Sequence, residues 1–176
     1  RQGPVMRAAL SRARGAGAGL PGRRQPMTAA GVRRALRQEA TPTRAAASQR
    51  FFRTGPGEYG EGDVFIGVTV PAQRSIARAF RGLLLTEALD LLRSDVHEDR
   101  LTALLILVDG FRRGDERART DIARAYLAST RFVNNWDLVD TSAPQILGAW
   151  LLDRDRKVLR RLARSRSLWE RRIAMI

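Results

Sequence analysis

Trp136 and Asp140 stand four residues apart in NNWDLVD, residues 134–140, with Asp137 between them. If Asn135 caps a helix here, the indole and the second carboxylate share one helical face. Asp137 then has a simple role in the first turn, where the positive end of the helix dipole favours a carboxylate by roughly 0.3–1 kcal/mol. Asp140 lies more than a turn inside, so that account does not reach it. Two readings remain for Asp140: an ion pair with an arginine of a neighbouring helix, or a surface shared with Trp136 that faces a cation. An indole attracts a positive group by about 0.5–2 kcal/mol, and a carboxylate adds a full opposing charge. The chain has no cysteine and a single histidine, His97. Thiol chemistry, disulfides and clustered zinc ligands are therefore excluded. Carboxylates, hydroxyls and arginines are left to do any chemistry, and neither a metal nor a cofactor is expected.

The net charge of +14 is unevenly spread. Residues 1–50 hold eleven arginines against the single acid Glu39, a net of +10, which leaves +4 for the other 126 residues. The first 26 residues mix Arg, Gly, Ala and Pro with few large apolar side chains, so they are expected to be a disordered tail. Their Arg-rich, acid-poor character resembles a transit peptide, but the simpler expectation is that translation starts at Met27. No apolar run has the length of a signal-peptide core or a membrane span, and a soluble cytoplasmic monomer is expected. A surface rich in arginine with one acidic, aromatic notch would suit a polyanion whose bound part is locally positive. DNA methylated at N3 of adenine or N7 of guanine has that character.

The elements that must position these residues are helical. From residue 28 onward apolar residues recur at three and four. Helices are expected over Ala29–Glu39 and about residues 43–53, followed by the loop GPGEYGEGD, residues 55–63, whose glycines lack the lysine and spacing of a phosphate-binding loop. The run VFIGVTV has no partner strand and reads as an extended connector up to Pro71, which opens a helix. Asp95 with Glu98, and Ser167 with Glu170, have the spacing of capping boxes. His97 is expected at the surface. Residues 101–111 are apolar on nearly all sides and suit a central buried helix. Further helical segments cover residues 121–128, 145–152 and 158–163, with Pro144 restarting or kinking the chain, and Trp150 and Trp169 read as core. Helix pairs spaced by roughly 40 residues point to an all-α, HEAT-like solenoid of the ARM type. Its last segment, SLWERRIAMI, stops without a closing cap, so the chain reads as incomplete at the C-terminal end, with domain boundaries at residues 1–26 and 27–176.

NNWDLVDTSAPQILGAWL followed by SRSLWERRIA resembles the signature of the DNA alkylation repair family, the HEAT-like alkylpurine DNA glycosylases. HEDRLTALLILV and RFFRTGPGEYGEGDVFIGVTVP are similar to earlier parts of the same family, so the resemblance covers residues 50–176. It implies that Asp140 is the catalytic carboxylate, that Trp136 contacts the damaged nucleotide, and that Arg172, with Arg171 beside it, binds DNA phosphate. Two positions depart from the family's pattern: Phe51 stands where a tyrosine would be and Thr69 where a glutamine would be. Both are kept as possible DNA contacts. The implied substrate is duplex DNA carrying alkylated bases, and the implied activity is that of a monofunctional glycosylase. A second aromatic of the cleft is expected beyond Ile176, without which the chain as given would be short of activity. The alternative is a HEAT-like scaffold that grips DNA or protein without catalysis. Mass spectrometry of the expressed protein's N-terminus checks the start site: a mature chain beginning at Met27 is expected, and one beginning earlier refutes it.

Overall fold

The computed structural model describes residues 27–176, so the expectations for residues 1–26 lie outside the described residues. The chain is all-α, and it contains nine α-helices among the described residues. Helix α1 (Ala29–Glu39) starts at Thr28, whose hydroxyl accepts from the Gly31 N–H, and α2 (Pro42–Phe51) has its proline in the first turn. After the glycine-rich loop come α3 (Val70–Ala79), α4 (Leu85–Leu92) and α5 (His97–Arg113). Then follow α6 (Glu116–Ala128), a 3₁₀ turn (Thr130–Phe132) and α7 (Trp136–Ala143), which Pro144 converts into a π-helical turn (Pro144–Gly148). Helices α8 (Lys157–Ala163) and α9 (Leu168–Met175) end the chain. No described helix is long and apolar enough to cross a membrane.

Helix α5 is the central member, packed against α3, α4, α6 and α7. Leu101, Leu104, Ile106, Leu107, Val108 and Phe111 are all buried on it, as expected of a helix apolar on nearly all sides. From α4 onward the helices follow one another as pairs, and the second members pack in a row, α5 on α7 and α7 on α9. These three begin at residues 97, 136 and 168, so the first interval matches the expected repeat spacing and the second is shorter, in an arrangement where each unit buries its apolar face on the next.

The start of α5 corrects two expectations. Val96, not Asp95, precedes the helix, and no side chain caps it. Glu98 does not close a capping box; its carboxylate instead accepts the N–H groups of Ile66, Gly67 and Val68, at 2.7–3.2 Å. The Val64 carbonyl accepts from the His97 N–H, and the Ile66 carbonyl from Thr41 N–H. VFIGVTV is therefore an extended connector whose backbone groups are taken up by neighbouring helices. Only a single isolated bridge, Val64 with Val96, forms there. Gly67 adopts φ 81°, and a Cβ there would collide with the Thr41 carbonyl, so this crossing requires glycine. The second capping box is half formed: Ser167 accepts from Glu170 N–H, but the Glu170 carboxylate turns to the Thr130 hydroxyl at 2.6 Å.

His97 is buried, with 2% exposure, rather than at the surface, because two carboxylates await it. Its Nδ1 lies 3.0 Å from Asp63 and its Nε2 2.8 Å from Asp137. Carboxylates only accept, so both ring nitrogens donate and the ring is an imidazolium. Burial would push the His97 pKa down, but hydrogen bonds and charge from Asp137 and Asp63 outweigh it and hold the pKa above its usual value. Burial likewise works to raise Asp63, yet His97, Arg100 and Asn135 bring its pKa below the carboxylate norm. Phe65 stacks on the imidazole at 4.5 Å between centroids and Phe52 tilts over it at 5.0 Å.

Replacing His97 by Gln leaves the part-buried Asp137 without its cation and the buried Asp63 with Arg100 alone. Such a break costs about 3–5 kcal/mol, which for a domain this size lowers Tm by roughly 10 °C. The imidazolium's contribution is fully present below the unfolded histidine pKa of about 6.5 and is lost as pH rises through the raised folded value. Thermal melts across neutral to alkaline pH should therefore show wild-type Tm falling toward that of His97→Gln, whose own Tm changes little in this window.

Candidate nucleic-acid interface

Asn135 caps α7 as its position requires: its Oδ1 accepts from the Trp136 N–H at 2.8 Å, while its Nδ2 donates to Asp63 at 2.9 Å. The same cap thus starts the helix and ties it to the glycine-rich loop. Asp137, one residue into the helix, is the Nε2 partner of His97, a stronger attachment than the dipole interaction read from its position. Trp136 is half-buried, with Phe52 stacked on it at 5.6 Å and 20° and Phe51 meeting it edge-on at 6.2 Å.

Trp136 lines an open groove of about 690 Å³ together with Tyr59, Leu168, Trp169, Arg171 and Arg172. Three aromatic rings and two guanidiniums therefore share one concavity, between the starts of α7 and α9. Arg171 is fixed by donating to the carbonyls of Ser165 and Arg166, at 2.8 and 2.9 Å. Arg172 reaches back to α7 and donates from Nε and Nη2 to the two oxygens of Asp140, at 2.7 and 2.6 Å. That pairing raises the Arg172 pKa above its already high value. The ion pair with a neighbouring helix is thus formed, whereas Asp140 itself is not among the residues that line the groove with Trp136. Asp140 is clasped by an arginine that itself lines the groove of Trp136.

The strength of this clasp decides what Asp140 can do. Its side chain is 38% exposed and that of Arg172 41%, and pairs this open to water are worth about 0–1 kcal/mol. A phosphate competing for Arg172 therefore faces little resistance. Bidentate geometry favours the pair, but exposure keeps it weak.

The structure divides the remaining candidates. Phe51 is 66% exposed beside Trp136. Thr69 is spent locally, its hydroxyl accepting from the Ala72 N–H as the cap of α3, and it lines a separate cavity of about 240 Å³ with Phe52, Gln73, His97 and Asp137. Trp150 is partly buried against the core with Arg154 over its ring, at 5.2 Å. Trp169 packs on the core and also lines the groove. Two parts of the site escaped the sequence reading. Tyr59 sits in a loop whose glycines drew attention only to its backbone. The Asp63, His97 and Asn135 cluster joins residues up to 72 apart, for which local spacing carries no signal. Among the described residues no group of three or more His, Cys, Asp or Glu side chains could hold a metal ion.

A family model described as DNA alkylation repair enzyme matches residues 32–176. No curated protein and no solved structure matches the chain. The matched span takes in the central helix, the capped start of α7 and the groove above it, and the chain belongs to the DNA alkylation repair enzyme family.

Proposed function

We propose that the protein is a monofunctional DNA glycosylase that releases N3- or N7-alkylated purines from duplex DNA, acting as a monomer in the cytoplasm. A role in DNA alkylation repair follows from the family; the reaction, the substrate and the residues are our reading. The observation that carries it is the joining of Trp136 and Arg172 in one groove, with the Asp140 carboxylate held by that same arginine. A DNA phosphate takes the Arg172 guanidinium, and Arg171 adds a second positive charge. Asp140, released from the clasp, faces the sugar of the damaged nucleotide, while Trp136 packs against that nucleotide.

The chemistry asks little of the protein. Alkylation leaves the purine positively charged, so when the bond from C1′ to the ring nitrogen breaks, its electron pair neutralises the departing base. Positive charge then develops on the sugar as an oxocarbenium-like state, which a fixed carboxylate stabilises. The water that Asp140 orients adds to C1′, and its proton passes to that carboxylate and on to solvent, completing hydrolysis. No deep nucleobase pocket is required, in keeping with an open groove.

The closed clasp favours a second reading, a HEAT-like scaffold that binds DNA or protein without cleaving, because Asp140 already has a partner. Base release from methylated duplex separates the two. Asp140→Asn should lower the release rate by about 10²-fold or more, the typical cost of losing a preorganised electrostatic group, with duplex affinity little changed. Release that is unaffected by the substitution removes the glycosylase reading, and wild-type protein that binds duplex without releasing base carries the scaffold reading instead. Affinity should also fall as salt rises, and Arg172→Ala should reduce the slope of log affinity against log salt by about 1. An unchanged slope would take Arg172 off the phosphate path.

A further inference from the structure

The glycine-rich loop between α2 and the connector does more than link them. It carries Tyr59 to the groove, where the phenol ring meets Trp169 edge-on at 6.1 Å between centroids and lines the same concavity as Trp136. Tyr59 remains 39% exposed. Its hydroxyl has only a long contact to the Phe51 carbonyl, at 3.4 Å, which is weak for an O–H donor. The ring is therefore neither a core residue nor held by its own polar group.

Its position is set instead by the backbone around it. Gly60 donates to the Arg53 carbonyl at 3.1 Å, and a Cβ on Gly60 would strike the Phe52 carbonyl, so the chain crosses the end of α2 at close range. Glu58 and Glu61 each accept from an N–H within the loop, those of Gly55 and Gly57, both at 3.0 Å. At its far end Asp63 is bound to His97, Arg100 and Asn135. A loop fastened at both ends presents its aromatic already ordered, so binding does not carry the entropic cost of fixing it.

We propose that Tyr59, backed by Trp169, is a lesion-contacting residue of this groove, against which the cationic purine or its nucleotide stacks, and that it helps set the preference for alkylated over unmodified duplex. The proposal rests on the glycosylase reading above and adds a residue that neither the helical pattern nor the family resemblance singles out. The division of charge agrees with it. Arginines in the groove repel a cationic base but attract its phosphates, while the faces of Tyr59 and the two tryptophans attract a flat cation. The two halves of an alkylated nucleotide thus find separate partners in one concavity.

Equilibrium binding of the full chain to two duplexes tests this, one unmodified and one bearing a single N7-methylguanine with a 2′-fluoro sugar that resists cleavage. Wild type should prefer the methylated duplex. Tyr59→Ala should lose roughly 5- to 100-fold of its affinity for that duplex, the range of stacking losses on alanine substitution, with affinity for the unmodified duplex unchanged. Tyr59→Phe should retain the preference. Tyr59→Leu, which keeps bulk against Trp169 without a π face, should behave like the alanine variant and guards against a folding effect, with melting curves as the check. Full preference retained in both Tyr59→Ala and Tyr59→Leu overturns the role of Tyr59 and leaves the glycosylase reading standing, and so does an equal loss on the two duplexes. A wild-type protein that does not distinguish the duplexes likewise overturns the role of Tyr59, while the glycosylase reading stands or falls on base release alone.

Discussion

The buried imidazolium of His97 joins the parts of this molecule that matter. An isolated charge at this depth would cost several kcal/mol, so the position is tenable only because Asp63 meets one ring nitrogen and Asp137 the other. Those two carboxylates come from different elements, the glycine-rich loop and the first turn of α7, while the histidine opens α5. One ring thereby fixes three segments relative to each other. Its neighbours extend the same logic: Glu98 gathers the connector, Asp99 takes the Ser94 hydroxyl and the guanidiniums of Arg33 and Arg37, and Arg100 holds Asp63 from the other side. HEDR, four successive buried ionic residues, is the junction through which α1, the connector, the loop and α7 are all set against the central helix.

The helical architecture was legible because it rests on local rules. Apolar spacing marked the helices, Ser167 and Asn135 announced the starts of α9 and α7, and Pro144 did disturb the helix it interrupts, as a π-helical turn. His97 and Glu98 depart from the sequence reading for a physical reason. Charged residues at a helix start look solvated unless their partners are known, and the side-chain partners of His97 and Glu98 lie 30 to 40 positions away. The same blindness hid Tyr59, whose aromatic character says nothing of location until the loop is seen fastened by Gly60 and Asp63. Local spacing placed Trp136 and Asp140 correctly on one helix. It could offer the Arg172 clasp only as an unnamed arginine, since that pair bridges 32 residues.

The clasp illustrates how exposure changes the meaning of geometry. With short contacts to both carboxylate oxygens, Arg172 and Asp140 would form a rigid unit if they were buried. Open to water as they are, they form instead two charges in provisional balance, each able to take another partner at small cost. Buried and exposed ion pairs thus serve different ends a few residues apart on α7. Asp137 anchors the helix to the core, and Asp140 remains available at the surface.

Phe52 covers one face of the Trp136 indole in near-parallel contact. Its own ring is in turn wedged against Phe65 and His97, so it cannot swing aside without disturbing the buried junction. The indole is therefore single-sided toward solvent. A flat ligand that stacks on it must take the opposite face, so the side of approach is set by a phenylalanine that need never touch a ligand.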